Sequence, residues 1–485
     1  MNLISFSANP ASLIKGVRSL LVIAPREIFT KKKFPKIFDA ATVGLLIELA
    51  TDLEPGLLGT TASTLTGSKP RGLSVGMIPD KVSRYQDPSR AECIRKVTER
   101  ACKEDPGPTG IVLLLDDESH ALAAINAVSK ALPMMSLKTG GKKRAQFRVL
   151  ALTRQGKPIQ TTKIIRETVM ASRNAALLVD APPTDMNPKA LEREARSLLR
   201  GVKGVRTKVI VGEHLLKAGL GGLHAVGRCA IEAPRMLVAT YSPKKSGGKT
   251  IALVGKGISY DTGGLHIKMR GSMETMKADM GGAAAALGAF RVLTTTGYPH
   301  KLHLLLCLAE NAIGPAAYKP DDVLTMHSGK TVEINNTDAE GRVVLADGVS
   351  YAARVLKCDT ILDAATLTGA QLIATGNLHA AVMSNDAELE QLLVAAGYAS
   401  GDLAHALPFA PEFYKSEFAS PIADMRNSVK NRSNAQSSCA AQFIHWHIED
   451  TDARWGHIDL AGPAFRNDRA TGFGVALLAE TARRL

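Results

Sequence analysis

Two short stretches of the chain concentrate side chains that can do chemistry. They are residues 254–288 and residues 335–348, and the side chains in question are Lys256, Asp261, Lys268, Asp279, Asp338, Glu340 and Arg342. Four carboxylates that converge at one end of a sheet repel one another strongly unless cations neutralise them. Shared carboxylates suit paired divalent metals that position a water for hydrolysis. One interpretation of the spacing is therefore a two-metal hydrolytic site.

Each of these residues also has a simpler explanation when it is taken alone. An Asp beside glycines, such as Asp261, is often a turn former, and an Asp before a helix, such as Asp279 or Asp338, is often an N-cap. Glu340 would be favourable near the positive end of a helix dipole. A capped helix start at residues 338–340 covers at most two acids, Asp338 and Glu340. These explanations do not show why four carboxylates should meet.

The elements that must position these residues are strands and helices that alternate along the chain. Short apolar strands (TKVIVG, RMLVATYS, TIALVGKG, HLLLCLAEN and DTILDAATL) alternate with helical stretches such as GGAAAALGAFRVLTT and GRVVLADGVSYAARVL. This alternation predicts an α/β fold with a mainly parallel central sheet covered by helices. The chemically active residues follow strands, where open α/β sheets place their binding crevice.

The length of the chain predicts more than one domain. Its 485 residues exceed the ~250–300 over which a single core usually extends. Residues 1–155 mix short apolar runs with polar loops and predict a smaller N-terminal α/β domain. Residues 156–180 have apolar residues at helical spacing and stop before two prolines, which predicts a linker helix. Residues 181–485 are then the catalytic domain.

The positive net charge of the chain is one feature that nucleic-acid-binding proteins share. The formal net charge is +14, which could attract polyanions. The basic clusters Lys31–Lys33 and Lys142–Arg144 are short and have no interleaved aromatic residues, so a solvated surface is the simpler interpretation. Nucleic-acid binding remains an alternative that the charge alone does not exclude.

Composition also bears on location. No apolar run approaches the ~20 residues that cross a bilayer, so no membrane span is expected. The six cysteines form no CxxC pair and are interpreted as reduced thiols of an intracellular protein. The first 19 residues contain no acid and faintly resemble a transit peptide, but residues 19–29 predict the first strand and turn of a folded domain. A cytoplasmic location is expected.

A pair of histidines could suggest a second metal site. His445 and His447 alternate around Trp446, and alternate imidazoles can chelate a metal. They lie in the apolar segment QFIHWHIED, so packing or hydrogen bonding is the favoured interpretation.

Four motifs together resemble the leucyl (cytosol) aminopeptidase family. They are VGKGISYDTGG, IKMRGSMETMKADMGGAA, NNTDAEGR and DAATLTGA, in the family's order and spacing. The resemblance extends from about residue 175 to the end and includes ADMRNS at 423–428 and HIDLAGPA at 457–464. Tyr260 and Thr262 around Asp261, and Met269 after Lys268, depart from the commonest family residues but are not among the family's ligand positions.

The resemblance implies a role for each site residue. A tight metal site would use Lys256, Asp261, Asp279 and Glu340, and an exchangeable site would use Asp261, Asp338 and Glu340. Lys268 and Arg342 match the two catalytic positions, Lys268 polarising the scissile carbonyl and Arg342 holding a bicarbonate as general base. The substrate and anion pockets would be lined by Met276, Thr366, Leu367 and Gly369.

The resemblance also implies an activity and an assembly. We expect an aminopeptidase that uses two divalent ions, zinc with manganese, cobalt or magnesium at the exchangeable site, and that releases leucine and other bulky apolar residues from peptides. A homohexamer is implied as well. The alternative from another class is a nucleic-acid-binding regulator on the same scaffold, and a third possibility is a non-catalytic structural hexamer.

Overall fold

The computed structural model describes residues 3–104, 107–139, 145–245 and 247–485. The chain divides into two compact units, residues 1–173 with 397–401, and residues 174–396 with 402–485. The predicted linker helix corresponds to α6 (Lys163–Asp180), and the division between the units falls within it. The domain boundaries at 155 and 180 stay predictions. The basic cluster Lys142–Arg144 lies outside the described residues.

The first unit is built on a six-stranded sheet. Its strands are β1 (Leu3–Phe6), β2 (Ser19–Pro25), β3 (Thr60–Leu65), β4 (Gly72–Ile78), β5 (Thr109–Leu115) and β6 (Gln146–Thr153). They are ordered β1-β6-β5-β2-β4-β3, with only the β3–β4 pair antiparallel. The helices are α1 (Pro10–Ile14), α2 (Arg26–Thr30), α3 (Ala40–Ala50), α4 (Ala91–Glu104) and α5 (Ala121–Lys130).

Both faces of this sheet are buried. Along β2, Leu20 and Val22 belong to one core cluster, and Leu21 and Ile23 belong to another. Successive strand side chains point to opposite faces, so a continuous apolar run requires cover on both sides.

The second unit is built on an eight-stranded sheet of order β15-β14-β17-β13-β9-β10-β8-β7. Its strands are β7 (Val205–Val211), β8 (Arg235–Tyr241), β9 (Thr250–Asp261), β10 (Lys301–Asn311), β13 (Thr360–Ala365), β14 (Ala380–Ser384), β15 (Ala404–Ala406) and β17 (Arg454–Asp459). The four central strands β17, β13, β9 and β10 are parallel, and the β10–β8, β8–β7 and β17–β14 pairs are antiparallel. The predicted fold class is confirmed.

Helices and small sheets complete this unit. The helices are α7 (Pro188–Leu199), α8 (Glu213–Lys217), α9 (Gly221–Gly227), α10 (Gly281–Thr295), α11 (Glu340–Arg354), α12 (Gly369–Thr375), α13 (Ala387–Ser400), α14 (Pro411–Tyr414), α15 (Gln436–Trp446), α16 (Ala461–Ala464) and α17 (Val475–Arg484). One small sheet joins β11 (Val323–Thr325), β12 (Thr331–Glu333) and β16 (Met425–Arg426), and a hairpin joins β18 (Phe465–Arg466) and β19 (Arg469–Ala470).

Small residues let helix α10 lie close to the sheet. A Cβ at Gly282 would lie 2.0 Å from the carbonyl oxygen of Ala364 in β13. The alanine-rich start of the helix is therefore a packing requirement as well as a helix signal. It brings the segment before α10 to the carboxyl ends of β9 and β13.

None of the helices formed by the described residues is both long and apolar enough to cross a membrane.

Candidate active site and metal centre

The predicted site residues come from elements that meet at one edge of the eight-stranded sheet. Lys256 and Asp261 lie on β9, Asp279 lies in a short 3-10 helix (Met276–Met280) before α10, and Glu340 begins α11. The prediction that the chemically active residues follow strands is wrong for Lys256 and Asp261, because β9 continues through Lys256 and ends at Asp261.

The simpler explanation of the acids as helix caps is wrong for both Asp279 and Asp338. The N-cap positions of α10 and α11 are Met280 and Ala339, and neither makes a side-chain capping hydrogen bond. The carboxylates are thus available for other partners.

Lys256 lies between two carboxylates. Its Nζ is 2.7 Å from Asp279 Oδ1 and 3.0 Å from Glu340 Oε1, and it donates to the carbonyl oxygen of Thr366 at 2.9 Å. The side chain is only 3% exposed. Burial alone would lower the pKa of Lys256, but the charges of Asp279, Glu340 and Asp261 raise it above the usual lysine value. Lys256 is therefore charged wherever these carboxylates have no other cation.

Lys268 joins the other two carboxylates. Its Nζ is 2.7 Å from Asp261 Oδ2 and 2.5 Å from Asp338 Oδ1. Burial opposes the charge, yet Asp261 and Glu340 raise the pKa of Lys268, so the amine stays protonated. Asp261 is oriented further by Asn311, whose Nδ2 donates to Asp261 Oδ1 at 2.8 Å.

Negative charge in this cluster is not fully balanced by the two lysines. Burial and the Asp261 charge raise the pKa of Glu340 to about 8, and the same causes raise the pKa of Asp279 to about 6. Burial and Asp261 also raise the pKa of Asp338. Carboxyl groups whose pKa is raised in this way gain from any further cation that reaches them.

The donor set fits divalent metal ions. Ligand oxygens of Asp261, Asp338 and Glu340 lie within 4.8 Å of one another. Asp279 Oδ2 and Glu340 Oε2 are buried and have no hydrogen-bond partner. A buried carboxylate oxygen without a partner is costly, and coordination of a cation removes that cost.

Arg342 supplies a buried guanidinium at the same cavity. Burial lowers the pKa of Arg342 to about 10, so it remains charged at neutral pH. Its Nη1 donates to the carbonyl oxygen of Asn427 at 3.1 Å.

A single buried carboxylate fixes the loop after β13. Asp459 Oδ1 accepts from the backbone N–H of Leu367 at 3.1 Å and of Thr368 at 3.4 Å, and Oδ2 accepts from the Thr368 hydroxyl at 2.7 Å. At the start of the loop, the Thr366 hydroxyl donates to Asp279 Oδ1 at 2.8 Å. The loop that lines the cavity is thus tied to the carboxylate cluster.

All the predicted site residues line one cavity of about 470 Å³. This group comprises the predicted metal, catalytic and pocket residues Lys256, Asp261, Lys268, Met276, Asp279, Asp338, Glu340, Arg342, Thr366, Leu367 and Gly369.

Several residues of the site were not predicted. Asn311 and Asp459 orient predicted residues, and Arg432 and Gln436 line the cavity. The ADMRNS and HIDLAGPA motifs were the available signal, because they place Asp459 and the loop that carries Arg432 within the family resemblance.

The histidine pair lies outside this cavity, in a packed segment. His447 Nδ1 is 2.7 Å from the Ser328 hydroxyl, and the ring of His445 packs edge-on against Phe409. The interpretation as packing and hydrogen bonding is confirmed.

The fold and the site are those of an α/β protein with a candidate divalent-metal centre. The profile described as "Cytosol aminopeptidase family, catalytic domain" matches residues 173–479. "Probable aminopeptidase NPEPL1" of Mus musculus is 44% identical over 413 residues, which cover 84% of this chain and 78% of the relative. "Leucine aminopeptidase 1" of Caenorhabditis elegans is 41% identical over 406 residues, 82% of this chain and 81% of the relative.

Solved structures agree over the whole chain. The leucine aminopeptidase structure of Caenorhabditis elegans is 34% identical with a TM-score of 0.90 and covers 100% of this chain and 98% of its own. The leucyl aminopeptidase of Trypanosoma brucei in complex with bestatin is also 34% identical with a TM-score of 0.90. The match covers 100% of this chain and 96% of the Trypanosoma brucei chain. The chain belongs to the cytosol aminopeptidase family. It is a metal-dependent aminopeptidase of a dinuclear family. The comparisons lend no support to the nucleic-acid alternative.

Proposed function

We propose that this aminopeptidase releases bulky apolar N-terminal residues, leucine above all, from peptides. The observation that carries the proposal is the cluster of four carboxylates, which lines one cavity with Lys268 and Arg342. Two of these carboxylates, Asp279 and Glu340, have a buried oxygen without a hydrogen-bond partner. Such a cluster attracts both divalent cations and the free α-amine of a peptide. An internal peptide bond has no such amine beside it, which favours cleavage at the first bond.

The ligands divide into two overlapping sets. Lys256, Asp261, Asp279 and Glu340 would hold the tighter ion, and Asp261, Asp338 and Glu340 the exchangeable one. Zinc is the expected ion, with manganese, cobalt or magnesium at the exchangeable set. When bound, the two ions supply Lewis-acid polarisation and a water of lowered pKa. Lys256 must lose its proton to act as a ligand, and its burial favours that loss once cations outweigh the carboxylates.

Lys268 stabilises negative charge that develops on the scissile carbonyl oxygen. Its side chain is more exposed than that of Lys256, 14% against 3%, which favours the protonated ammonium, and Asp261 and Asp338 hold it at the cavity wall. A fixed cation aimed at a developing oxyanion is an effective electrostatic catalyst because it requires little reorganisation.

Arg342 holds an anion. The guanidinium stays protonated and cannot remove a proton itself, but its planar fork suits a bicarbonate. A bicarbonate held there would supply a general base. The hydrogen bond from Arg342 to the carbonyl oxygen of Asn427 fixes the guanidinium that would hold the bicarbonate.

The preference for apolar residues is supported by the rest of the cavity wall. Met276, Leu367, Leu372 and Phe465 line the cavity together with the small residue Ala461. An apolar side chain that leaves water for this wall gains roughly 25 cal/mol per Å² of buried surface.

Assembly and location follow from the resemblance. We propose a homohexamer and a cytoplasmic location, the latter in line with relatives named "Probable cytosol aminopeptidase". Light scattering on the purified full chain would measure the assembly, and a monomeric mass would contradict it.

The decisive experiment compares a leucine chromogenic amide with its N-acetylated analogue. The chelated protein is loaded with zinc, manganese, cobalt or magnesium before the assay. We expect metal-dependent cleavage of the free-amine substrate alone. Metal-independent activity, or equal cleavage of the blocked substrate, would overturn the proposal.

A further inference from the structure

One part of the cavity wall has no role in the function proposed above. It consists of Asn336, Ser428, Arg432 and Gln436, all of them polar. The carboxylates and lysines serve the metal ions and the scissile bond, and the apolar wall suits the N-terminal side chain. The polar part is left for the portion of the peptide that follows the scissile bond.

The segment that carries Arg432 is firmly held. Ser428 and Asn335 exchange two hydrogen bonds, at 3.0 and 3.1 Å, which fix the start of the segment. Further along, Glu417 accepts from the Asn431 backbone N–H and from Asn434 Nδ2, both at 2.9 Å. Arg432 lies between these two anchors, so its backbone position is fixed while its side chain is exposed.

The charge of Arg432 is not matched by a carboxylate. Among the ion pairs of the described residues none involves Arg432, and Glu417 is engaged by two asparagines. Arg342, the other guanidinium of the site, lines the same cavity as Arg432. Two guanidinium groups therefore line the same cavity, and an anion is favoured beside them.

We infer that Arg432 recognises a carboxylate of the substrate on the leaving side of the scissile bond. This inference rests on the proposed aminopeptidase function and names its substrate class. The preferred peptides are dipeptides, through their free C-terminal carboxylate, and longer peptides whose second residue is Asp or Glu. The cavity of about 470 Å³ lies within the usual range for sites that enclose a small ligand.

The size of the effect follows from the exposure of Arg432. An ion pair at an exposed site is worth roughly 0.2–1 kcal/mol, which corresponds to a preference of about 1.4- to 5-fold. Salt screens such a pair, so the preference should shrink as ionic strength rises. The effect should fall mainly on KM.

The test uses substrate pairs that differ only in charge. The metal-loaded full chain is assayed with Leu-Asp-amide against Leu-Asn-amide and with Leu-Gly against Leu-Gly-amide. The protein is compared with Arg432→Gln, and with Lys430→Gln as control, because Lys430 is exposed on the same segment but does not line the cavity. Calorimetry with reduced-amide analogues of Leu-Asp and Leu-Asn measures binding without turnover.

The outcomes separate this inference from the function on which it rests. We expect the protein and Lys430→Gln to favour the charged member of each pair, and Arg432→Gln to lose the preference while still cleaving Leu-Asn-amide. Equal ratios in the protein and Arg432→Gln would overturn the inference and leave the aminopeptidase function standing. The inference would also be overturned if Arg432→Gln kept the preference for charged substrates and lost only the stimulation of activity by added bicarbonate. Failure to cleave any of the peptides would overturn both.

Discussion

Gly341 lies directly against the amine of Lys256. A Cβ at position 341 would lie 2.6 Å from Lys256 Nζ and 2.5 Å from its Cε, closer than real side-chain contacts allow. The first turn of α11 can carry Glu340 to Lys256 only because the next residue has no side chain. Both residues are buried, so neither can move aside without disturbing the carboxylates around it.

Gly341→Ala should therefore displace Lys256 and lower activity at least tenfold. The physical reason is overlap with a metal ligand, so the affinity for the tighter ion should fall as well. Steady-state kinetics and metal titration would measure both effects. Gly44→Ala is the control, because Gly44 lies in helix α3 with no atom within 4 Å of the added methyl group. That variant should keep full activity, and unchanged metal affinity in Gly341→Ala would refute the prediction.

Glu340→Gln should abolish activity and reduce metal binding at both sites. Glu340 is shared by the two proposed ligand sets, and its Oε2 is buried without another partner. Zinc or manganese at about 100 times its Kd should stabilise the chelated protein by about 2.7 kcal/mol, and the variant should lose most of this gain. Thermal melting and elemental analysis would check it. Two ions bound to an active variant would rule out the ligand assignment.

Asp459→Asn should reduce kcat/KM about tenfold and destabilise the protein by about 1–3 kcal/mol, because an amide nitrogen would face backbone donors. The altered loop should widen the range of accepted N-terminal residues. Asp347→Asn is the matched control for Asp459→Asn. Asp347 is also buried and accepts from the backbone N–H groups of Leu223 and His327, both at 2.9 Å, but it lies away from the cavity. Asp347→Asn should lose similar stability but keep its kcat/KM. An equal kinetic loss in both variants would mean that Asp459 has no special role.

The stability of the metal-free protein should fall as pH drops from about 6.5 to about 3, in part because of His447. Burial lowers the pKa of His447 to about 3. The unfolded chain takes up a proton near the usual histidine pKa and the folded protein does not, so stability is full above that value and is lost as pH falls. The urea midpoint should be measured at several pH values across this range. It should fall less steeply with decreasing pH in His447→Gln than in the unmodified protein. Ser328→Ala removes only the hydrogen-bond partner of His447 and should keep the pH dependence of the unmodified protein. An equal pH dependence of the urea midpoint in the unmodified protein and in His447→Gln would contradict the prediction.

Local patterns predicted much of the second unit. The alternation of apolar strands and helices predicted the parallel sheet, and the resemblance to the family predicted the residues that line the cavity. The alternative of a capping role for Asp338 could not be tested from the sequence, because Ala339 occupies the N-cap position and capping is decided by backbone angles that the sequence does not display. Asp459 and Asn311 were missed because their partners are 91–92 and 50 positions away, so only the folded sheet brings them together.

The loop that follows β13 limits how substrate range can diverge. Thr366 contacts Lys256 and Asp279, and the next two residues are tied to Asp459, so a change in this loop would alter metal binding and pocket shape together. Met276, Arg432 and Phe465 line the cavity without being tied to Asp459. Enzymes of this architecture that acquire new preferences should vary at such positions and keep the loop, so directed evolution of specificity is best confined to them.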